Sequence, residues 1–451
     1  MFRCHRWVMA ALLLVGFMPS WGGTCTCRGA EVPDAESFPR DATSGAPPAP
    51  RSPVAKAIWP RTWELGPTAT FRLRGRIDTD AIWSSQSPLN EATFGDLGDV
   101  VGLRRARIGA EGQLGSNSRY ITEIDMAPGI VVPRDVYVAF GDRQAVGEMQ
   151  VGHFREPFSL EGGTSARFFA FMERSPVNLL DPARNWGLGL FRQSLDENST
   201  LAMGAFYSGT NAGDFQGGDG ATVGFTERLT TALVNEKDGE RLLHLGLALS
   251  ERVPETGVII INQQPRSPLL DLGDSSTSPF VPAIRIPASY QQLFNLQFAA
   301  VEGPWWTQAE WYGSLINQTG GGTVLFRGCH IDCGYFLTGE HRSYDSSSGT
   351  FGALAVNRPW LRRAVRDRQR GWGGWELTAR FAYLDFFDPD TPSGPSGQLI
   401  GIKLPQWTFG VNWYLSDRTR LMFNYSYDLP NELNTGVSAA SIYATRLAIF
   451  W

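Results

Sequence analysis

From Phe71 onward the chain alternates. Leu73, Gly75, Ile77, Thr79, Ala81 and Trp83 take one set of positions, and Arg72, Arg74, Arg76, Asp78 and Asp80 take the other. A period of two marks a β-strand with chemically different faces. The pattern returns in Leu103 to Gly112 and Tyr120 to Met126, joined by the short polar turn Leu114-Gly115-Ser116-Asn117, and continues through Val136-Val138-Phe140 and Val146 to Phe154. It returns again around Leu243 to Ser250, Phe294 to Phe298, Trp375 to Tyr383, Trp407 to Trp413 and Leu421 to Tyr427. One such segment also fits a soluble sandwich. About sixteen of them predict an all-β chain closed into a transmembrane antiparallel barrel, with apolar side chains toward lipid and polar ones toward water. The last strand supports this reading: Thr445, Leu447, Ile449 and Trp451 share one face, with a terminal aromatic at the height of an interfacial girdle.

The segment before the alternation divides in two. Residues 1–30 read as a signal peptide: Arg3 and Arg6 precede an apolar run from Trp7 to Phe17 that is too short to span a bilayer as a helix. Residues 31–66 are rich in Pro, Ala, Ser and charge, the composition of a disordered periplasmic linker. Residues 67–451 are then the barrel. Short turns such as Glu302-Gly303-Pro304 and Ser416-Asp417 are expected on the periplasmic side. The long polar stretches Pro254 to Ser289 and Tyr344 to Gly371 are expected as extracellular loops.

Composition sharpens the class. With 50 Gly, 27 Phe and 15 Trp but only 42% hydrophobic residues, the chain suits a wall with two unlike faces better than a large soluble core. A net charge of −5 excludes a strongly basic nucleic-acid binder. The five histidines fall in no triad or metal spacing, so neither enzymatic activity, a metal nor a cofactor is expected. Cys329 and Cys333, four apart on a regular strand, would lie about 13 Å from each other, so a disulfide needs a turn between them. The alternatives are a loop disulfide or free thiols.

Three strings are distinctive. The first is Gly152-His153-Phe154-Arg155-Glu156-Pro157-Phe158-Ser159-Leu160-Glu161, followed by Thr164-Ser165-Ala166-Arg167 and Phe171-Met172-Glu173-Arg174-Ser175. The second is Tyr335-Phe336-Leu337-Thr338-Gly339-Glu340-His341-Arg342-Ser343-Tyr344, and the third runs from Gly374 through Trp375-Glu376-Leu377 to Asp385. In content and order they resemble the phosphate-selective porin O/P family of outer-membrane channels, over about Phe71 to Trp451. The resemblance implies a sixteen-stranded barrel, a homotrimer, a ladder of arginines leading to a narrow anion site, and a loop folded inward as the constriction. By position that loop is Glu156 to Ala183, beginning where Pro157 removes a ladder donor. The chain departs from the family in having few lysines and in following Arg155 with Glu156.

An anion in a narrow pore loses hydration that fixed cations and donors must replace, and arginine offers a planar fork to two oxygens. The candidate pore-lining groups are therefore Arg72, Arg74, Arg76, Arg105, Arg107, Arg155, Arg174 and Arg380, with Asp125 and Glu123 moderating them. Alternation allows only one of Arg104 and Arg105 to face the lumen, and favours Arg105. The competing reading is that these arginines pair with lumenal acids and brace the wall. The expected partners are small anionic solutes such as phosphate, outer-membrane lipid and two further copies of the chain, with no nucleic acid. The function expected is passive diffusion of anions, phosphate or polyphosphate among them. A general porin, or a structural or adhesive barrel with a plugged lumen, is the alternative.

Overall fold

The computed structural model describes residues 62–127, 129, 131–209, 217–261, 280–281, 283–361, 371–391 and 401–451. The signal and nearly all of the linker expected from the sequence lie outside these residues. Sixteen antiparallel strands form a closed barrel. In chain order they are β1 Thr70–Gln86, β2 Val100–Gln113, β3 Ser118–Asp125, β4 Val132–Asp142, β5 Gly147–Arg155, β6 Arg184–Gln193, β7 Ser199–Ser208 and β8 Thr222–Glu236. They continue as β9 Arg241–Pro254, β10 Ile284–Glu302, β11 Trp305–Gln318, β12 Thr323–Phe336, β13 Gly374–Asp385, β14 Ile402–Ser416, β15 Thr419–Asp428 and β16 Ala440–Phe450. β16 pairs with β1 from Phe450 opposite Arg76 to Ala440 opposite Gln86, which closes the ring and leaves no open edge. Thr62–Glu64, expected in the linker, forms a short extra strand against Thr70 to Arg72. No described helix is long and apolar enough to cross a membrane; crossing is by strands.

The alternation sorts the side chains as the pattern requires. On β1, Arg76, Asp78 and Asp80 are buried inside the barrel, while Ile77 and Trp83 are exposed outside it. On β9, Leu245, Leu247 and Leu249 are exposed, and His244, Ala248 and Ser250 are buried. Aromatic pairs such as Trp375 stacked on Trp413, with centroids 5.2 Å apart, belong to the outward rows. The closure at the last residue is tight. Trp451 and Gly75 exchange backbone hydrogen bonds of 3.0 and 3.1 Å, and a Cβ on Gly75 would stand 2.2 Å from the Trp451 indole.

Two expectations need correction. First, Arg104 and Arg105 are both buried, at 6% and 0% exposure. The pairing with β1 shifts between Asp78 and Thr79, so that Arg105 faces Asp78, Leu103 faces Thr79 and Arg104 is the extra residue of a β-bulge. A bulge suspends the two-residue period, and both guanidiniums turn inward. Second, β12 ends and β13 begins at the same end of the barrel as Glu302-Gly303-Pro304 and Ser416-Asp417, so the described residues 337–361 and 371–373 between them start and finish there and not at the opposite end. Strand parity decides this, whereas the length of the stretch suggested the other side. We call the end that carries Thr70 and Phe450 the lower end. Of the two alternatives for Cys329 and Cys333, the structure has free thiols: both sit on the outward row of β12 with no turn between them.

Two segments enter the lumen. The loop 156–183 does so from the upper end, as its position implied, and reaches the far wall. The Met172 amide donates to Asn424 Oδ1 on β15 at 2.8 Å, and Asn412 on β14 donates to the Ala170 carbonyl at 2.6 Å. Phe158, Val177 and Leu180 anchor its ends in an apolar cluster with Ile284, Tyr312, Phe326 and Leu384. From the lower end, Tyr344–Asp345 and Thr350–Phe351 pair as a small hairpin. Its Tyr344 and Phe351 pack with Leu160, Phe171, Trp306 and Phe336 in a second cluster.

Candidate functional site: the arginine networks of the lumen

The inward rows of β1, β2 and β3 place basic and acidic side chains in register. Arg107 stands opposite Asp125, and Gly109 opposite Glu123. The absent side chain at Gly109 lets arginines from both sides converge on Glu123. That carboxylate meets Arg74 at 3.0 Å, Arg167 of the inward loop at 2.9 Å and Arg107 at 3.6 Å. Arg74 also reaches Glu111 at 3.0 Å, as Arg72 does at 3.3 Å, and Asp125 joins Arg107 at 2.8 Å with Arg134 at 3.5 Å. Among the described residues these pairs link five guanidiniums (Arg72, Arg74, Arg107, Arg134 and Arg167) to three carboxylates (Glu111, Glu123 and Asp125), and the neighbouring Asp135, itself paired with Arg184 at 3.1 Å, leaves the excess of two guanidiniums unchanged. Arg167 and Arg74 retain 16% and 11% side-chain exposure, so the surplus borders open lumen. Burial, followed by the neighbouring Arg74 guanidinium, pushes Arg167 down to about 10, which leaves it charged at neutral pH.

A second network is buried except at Glu173, whose side chain keeps 13% exposure. Arg76 and Arg105 share Asp78 at 2.7 and 3.0 Å, and Arg446 of β16 pairs with Asp80 at 2.6 Å. Glu173 of the inward loop then ties Arg104 at 3.0 Å, Arg105 at 3.1 Å and Arg446 at 2.6 Å. Burial works to raise the Glu173 carboxyl, but Arg104, Arg105 and Arg446 outweigh it and hold the group below the ordinary carboxylate range. These ion pairs clamp the loop to the wall. Truncating one member of such a buried set costs about 3–5 kcal/mol, because its partners stay buried and uncompensated.

The remaining candidates anchor the loop. Arg155 pairs with Asp181 at 2.7 Å across the loop's mouth. Arg174 lies 4.5 Å over the Phe169 ring and donates to the carbonyls of Glu161 and Gly162. Arg380 joins Asp332 at 2.7 Å and Glu161 at 2.5 Å, and faces the Phe171 ring at 4.3 Å. Thus Arg72, Arg74, Arg107 and Asp125 come together at one open site, Arg76 and Arg105 belong to the clamp, and Arg155, Arg174 and Arg380 hold the loop. The sequence reading turned Arg104 outward and did not propose Arg134, Arg167, Glu173 or Arg446 as site residues. Arg446 was detectable from its inward position on the last strand. Arg167 and Glu173 lie in a loop, where no periodicity marks direction. No group of described residues could hold a metal ion.

A closed barrel with an apolar outer wall, a charged lumen and an inward loop defines a porin of the bacterial outer membrane. The comparisons place it further. The sequence profile of the phosphate-selective porins O and P matches residues 71–431, and the chain belongs to that family. An uncharacterized protein of Caulobacter vibrioides is 26% identical over 424 residues, covering 86% of this chain and 79% of that protein. OmpT of Vibrio cholerae superimposes with a TM-score of 0.53 at 10% identity, covering 87% of this chain and 100% of OmpT, which is a likeness of fold alone. An anion-selective porin from Comamonas acidovorans gives a TM-score of 0.49 at 13% identity, over 85% of this chain and 100% of that one.

Proposed function

We propose that this porin is a passive diffusion channel that prefers anions, phosphate and polyphosphate among them, and that it works as a homotrimer surrounded by outer-membrane lipid. The observation that carries the preference is Glu123, one carboxylate shared by three guanidiniums beside the open lumen. An anion arriving there meets donors whose charge is only partly compensated. It gains charge-assisted hydrogen bonds, while the carboxylates keep binding weak enough for release. Membership of a family described as phosphate-selective supports the same reading. The pore-lining groups of this proposal are Arg72, Arg74, Arg107 and Arg167, with Asp125 and Glu123 as moderators.

The experiment is single-channel recording of refolded protein in a planar bilayer under a salt gradient, with phosphate titrated in. Discrete steps, an anion-selective reversal potential and block by phosphate are expected. Steps without anion preference would reduce the protein to a general porin. A correctly folded barrel with no steps would favour a plugged structural barrel. The observation behind that second reading is the lower-end hairpin, which occupies the lumen together with the loop 156–183.

A further inference from the structure

The segment between β12 and β13 enters the lumen as the hairpin 344–351 and then leaves it. Leu354 and Val356 still pack in the second apolar cluster, and the Val356 amide donates to Asp417 in the β14–β15 turn at 2.9 Å. By Trp360 the chain is outside. The Leu361 amide donates to the Leu415 carbonyl at 2.9 Å, and the Trp360 ring stands at 60° to that of Trp413, an outward residue of β14, with centroids 5.6 Å apart. Residues 362–370 lie outside the described residues, and on their far side the chain is back at the same ledge. The Gly371 amide donates to the Pro359 carbonyl at 3.1 Å and the Gly373 amide to that of Arg358 at 2.9 Å. The Trp372 carbonyl accepts from the outward indoles of Trp375 and Trp413 at 3.2 and 2.8 Å. The ledge is apolar and uncovered: Trp360 keeps 40% exposure and Trp372 81%. Trp305 and Tyr335, with centroids 4.3 Å apart, continue the same belt on β11 and β12. Indoles collect at the boundary between lipid headgroups and acyl chains. The lower end is the periplasmic one, because apart from this segment its connections have two to five residues, and short turns mark that side.

The sequence that the two tryptophans bracket is strongly basic. From Arg358 to Arg370 it holds six arginines and one acid, Asp367, in a chain whose net charge is −5. A solvated loop would account for the charge but not for the exposed indoles that hold both of its ends against the membrane-facing wall. Basic clusters beside a membrane-crossing wall bind acidic headgroups, and arginine can lie along apolar surface while its guanidinium meets phosphate. We propose that this ledge docks on acidic phospholipids of the periplasmic leaflet, with Trp360 and Trp372 at the headgroup boundary and Arg358 and the arginines of the bracketed sequence supplying the charge that selects the headgroup. The inference rests on the outer-membrane fold and is independent of the ion preference of the lumen.

The test is native mass spectrometry of the full chain in detergent, with phosphatidylglycerol and phosphatidylcholine of the same acyl chains added together. The native chain should retain phosphatidylglycerol in preference. An arginine near an acidic lipid surface favours binding about fivefold, so the Arg358→Gln/Arg362→Gln/Arg370→Gln variant should lose about that factor or more in the ratio of the two bound lipids. Trp372→Ala keeps every charge and should also lower retention of phosphatidylglycerol. Lys237→Gln/Arg241→Gln removes two exposed cations from the β8–β9 turn, at the same end of the barrel but off the ledge, and should leave the ratio in place. Heat-modifiable gel migration confirms that each variant is a closed barrel. Equal retention of both lipids by the native chain, a ratio unchanged in the ledge variant, or an equal loss in the Lys237→Gln/Arg241→Gln control overturns the assignment. A channel without anion preference that still selects phosphatidylglycerol through the ledge would remove the transport reading and leave this one standing.

Discussion

Glu173→Gln isolates the clamp between the inward loop and the wall. The carboxylate meets three guanidiniums, at 3.0 Å from Arg104, 3.1 Å from Arg105 and 2.6 Å from Arg446. The amide keeps the volume and one acceptor but removes the charge. Arg105 and Arg446 retain Asp78 and Asp80, so the cost falls at the lower end of the range for breaking a buried set, about 3 kcal/mol. That is roughly a hundredfold in the opening equilibrium of the loop. Hydrogen exchange of the Met172 amide, which donates to Asn424 across the lumen, reports the opening directly. It should speed up about a hundredfold while strand amides do not change. Acid gives the same loosening in the native chain. Glu173 is held below its ordinary range when the loop is docked, so its contribution is complete above the unfolded value of about 4.3 and is lost as pH falls through the lower docked value. Opening corrected for intrinsic exchange should be flat from pH 7 to about pH 5 and rise only in stronger acid. A Met172 amide as protected in Glu173→Gln as in the native chain would refute the clamp.

Three further outcomes are expected. Arg107→Gln should reduce anion preference in bilayer recordings, whereas Arg105→Gln, lying in the buried clamp, should leave the reversal potential in place and accelerate Met172 exchange; the reverse pattern would mean that the two networks are wrongly divided. Gly75→Val forces a side chain into the Trp451 indole and should cost about 1–3 kcal/mol of closure, read as a lower temperature for the unfolding shift in gel migration. An unchanged transition would show that the indole swings aside freely. Peptides containing Cys329 and Cys333 should both be alkylated without reductant, and recovery of a linked pair would contradict their positions along one strand.

The barrel was legible because its cause is written in period two. Each strand must satisfy lipid on one side and water on the other, so Ile77 and Asp78 announce their faces without any knowledge of neighbours. The inward positions of Arg74, Arg76, Arg107 and Arg380 followed from that rule, and the inward loop at 156–183 followed from family resemblance. Arg104 was misplaced because a bulge is a property of two paired strands and leaves no mark on one. The stretch that begins at Tyr344 was assigned to the end opposite the Glu302-Gly303-Pro304 turn because a polar stretch shows its length but not its side, which needs an exact count of strands. Ion pairing was the least visible feature. Arg105 and Arg107 look equivalent in the sequence, yet one is fully buried against Asp78 and Glu173 and the other joins, through Glu123, the network that includes the partly exposed Arg74 and Arg167. Only the register and the path of the loop separate them.

The central claim is that the surplus of guanidinium charge around Glu123 sets ion preference. The direct measurement is the reversal potential of the native channel and of the Arg74→Gln/Arg167→Gln double variant under the same salt gradient. Two unit charges about 5 Å apart in water interact by about 0.8 kcal/mol, so each lost guanidinium should disfavour anion entry about fourfold and favour cation entry as much, lowering the anion-to-cation permeability ratio about sixteenfold. At that range salt screens the effect only partly, since the Debye length is about 10 Å at 0.1 M. An anion-selective native channel whose reversal potential moves toward zero in the double variant is the expected result. A cation-selective native channel, or a double variant with unchanged selectivity, would contradict it.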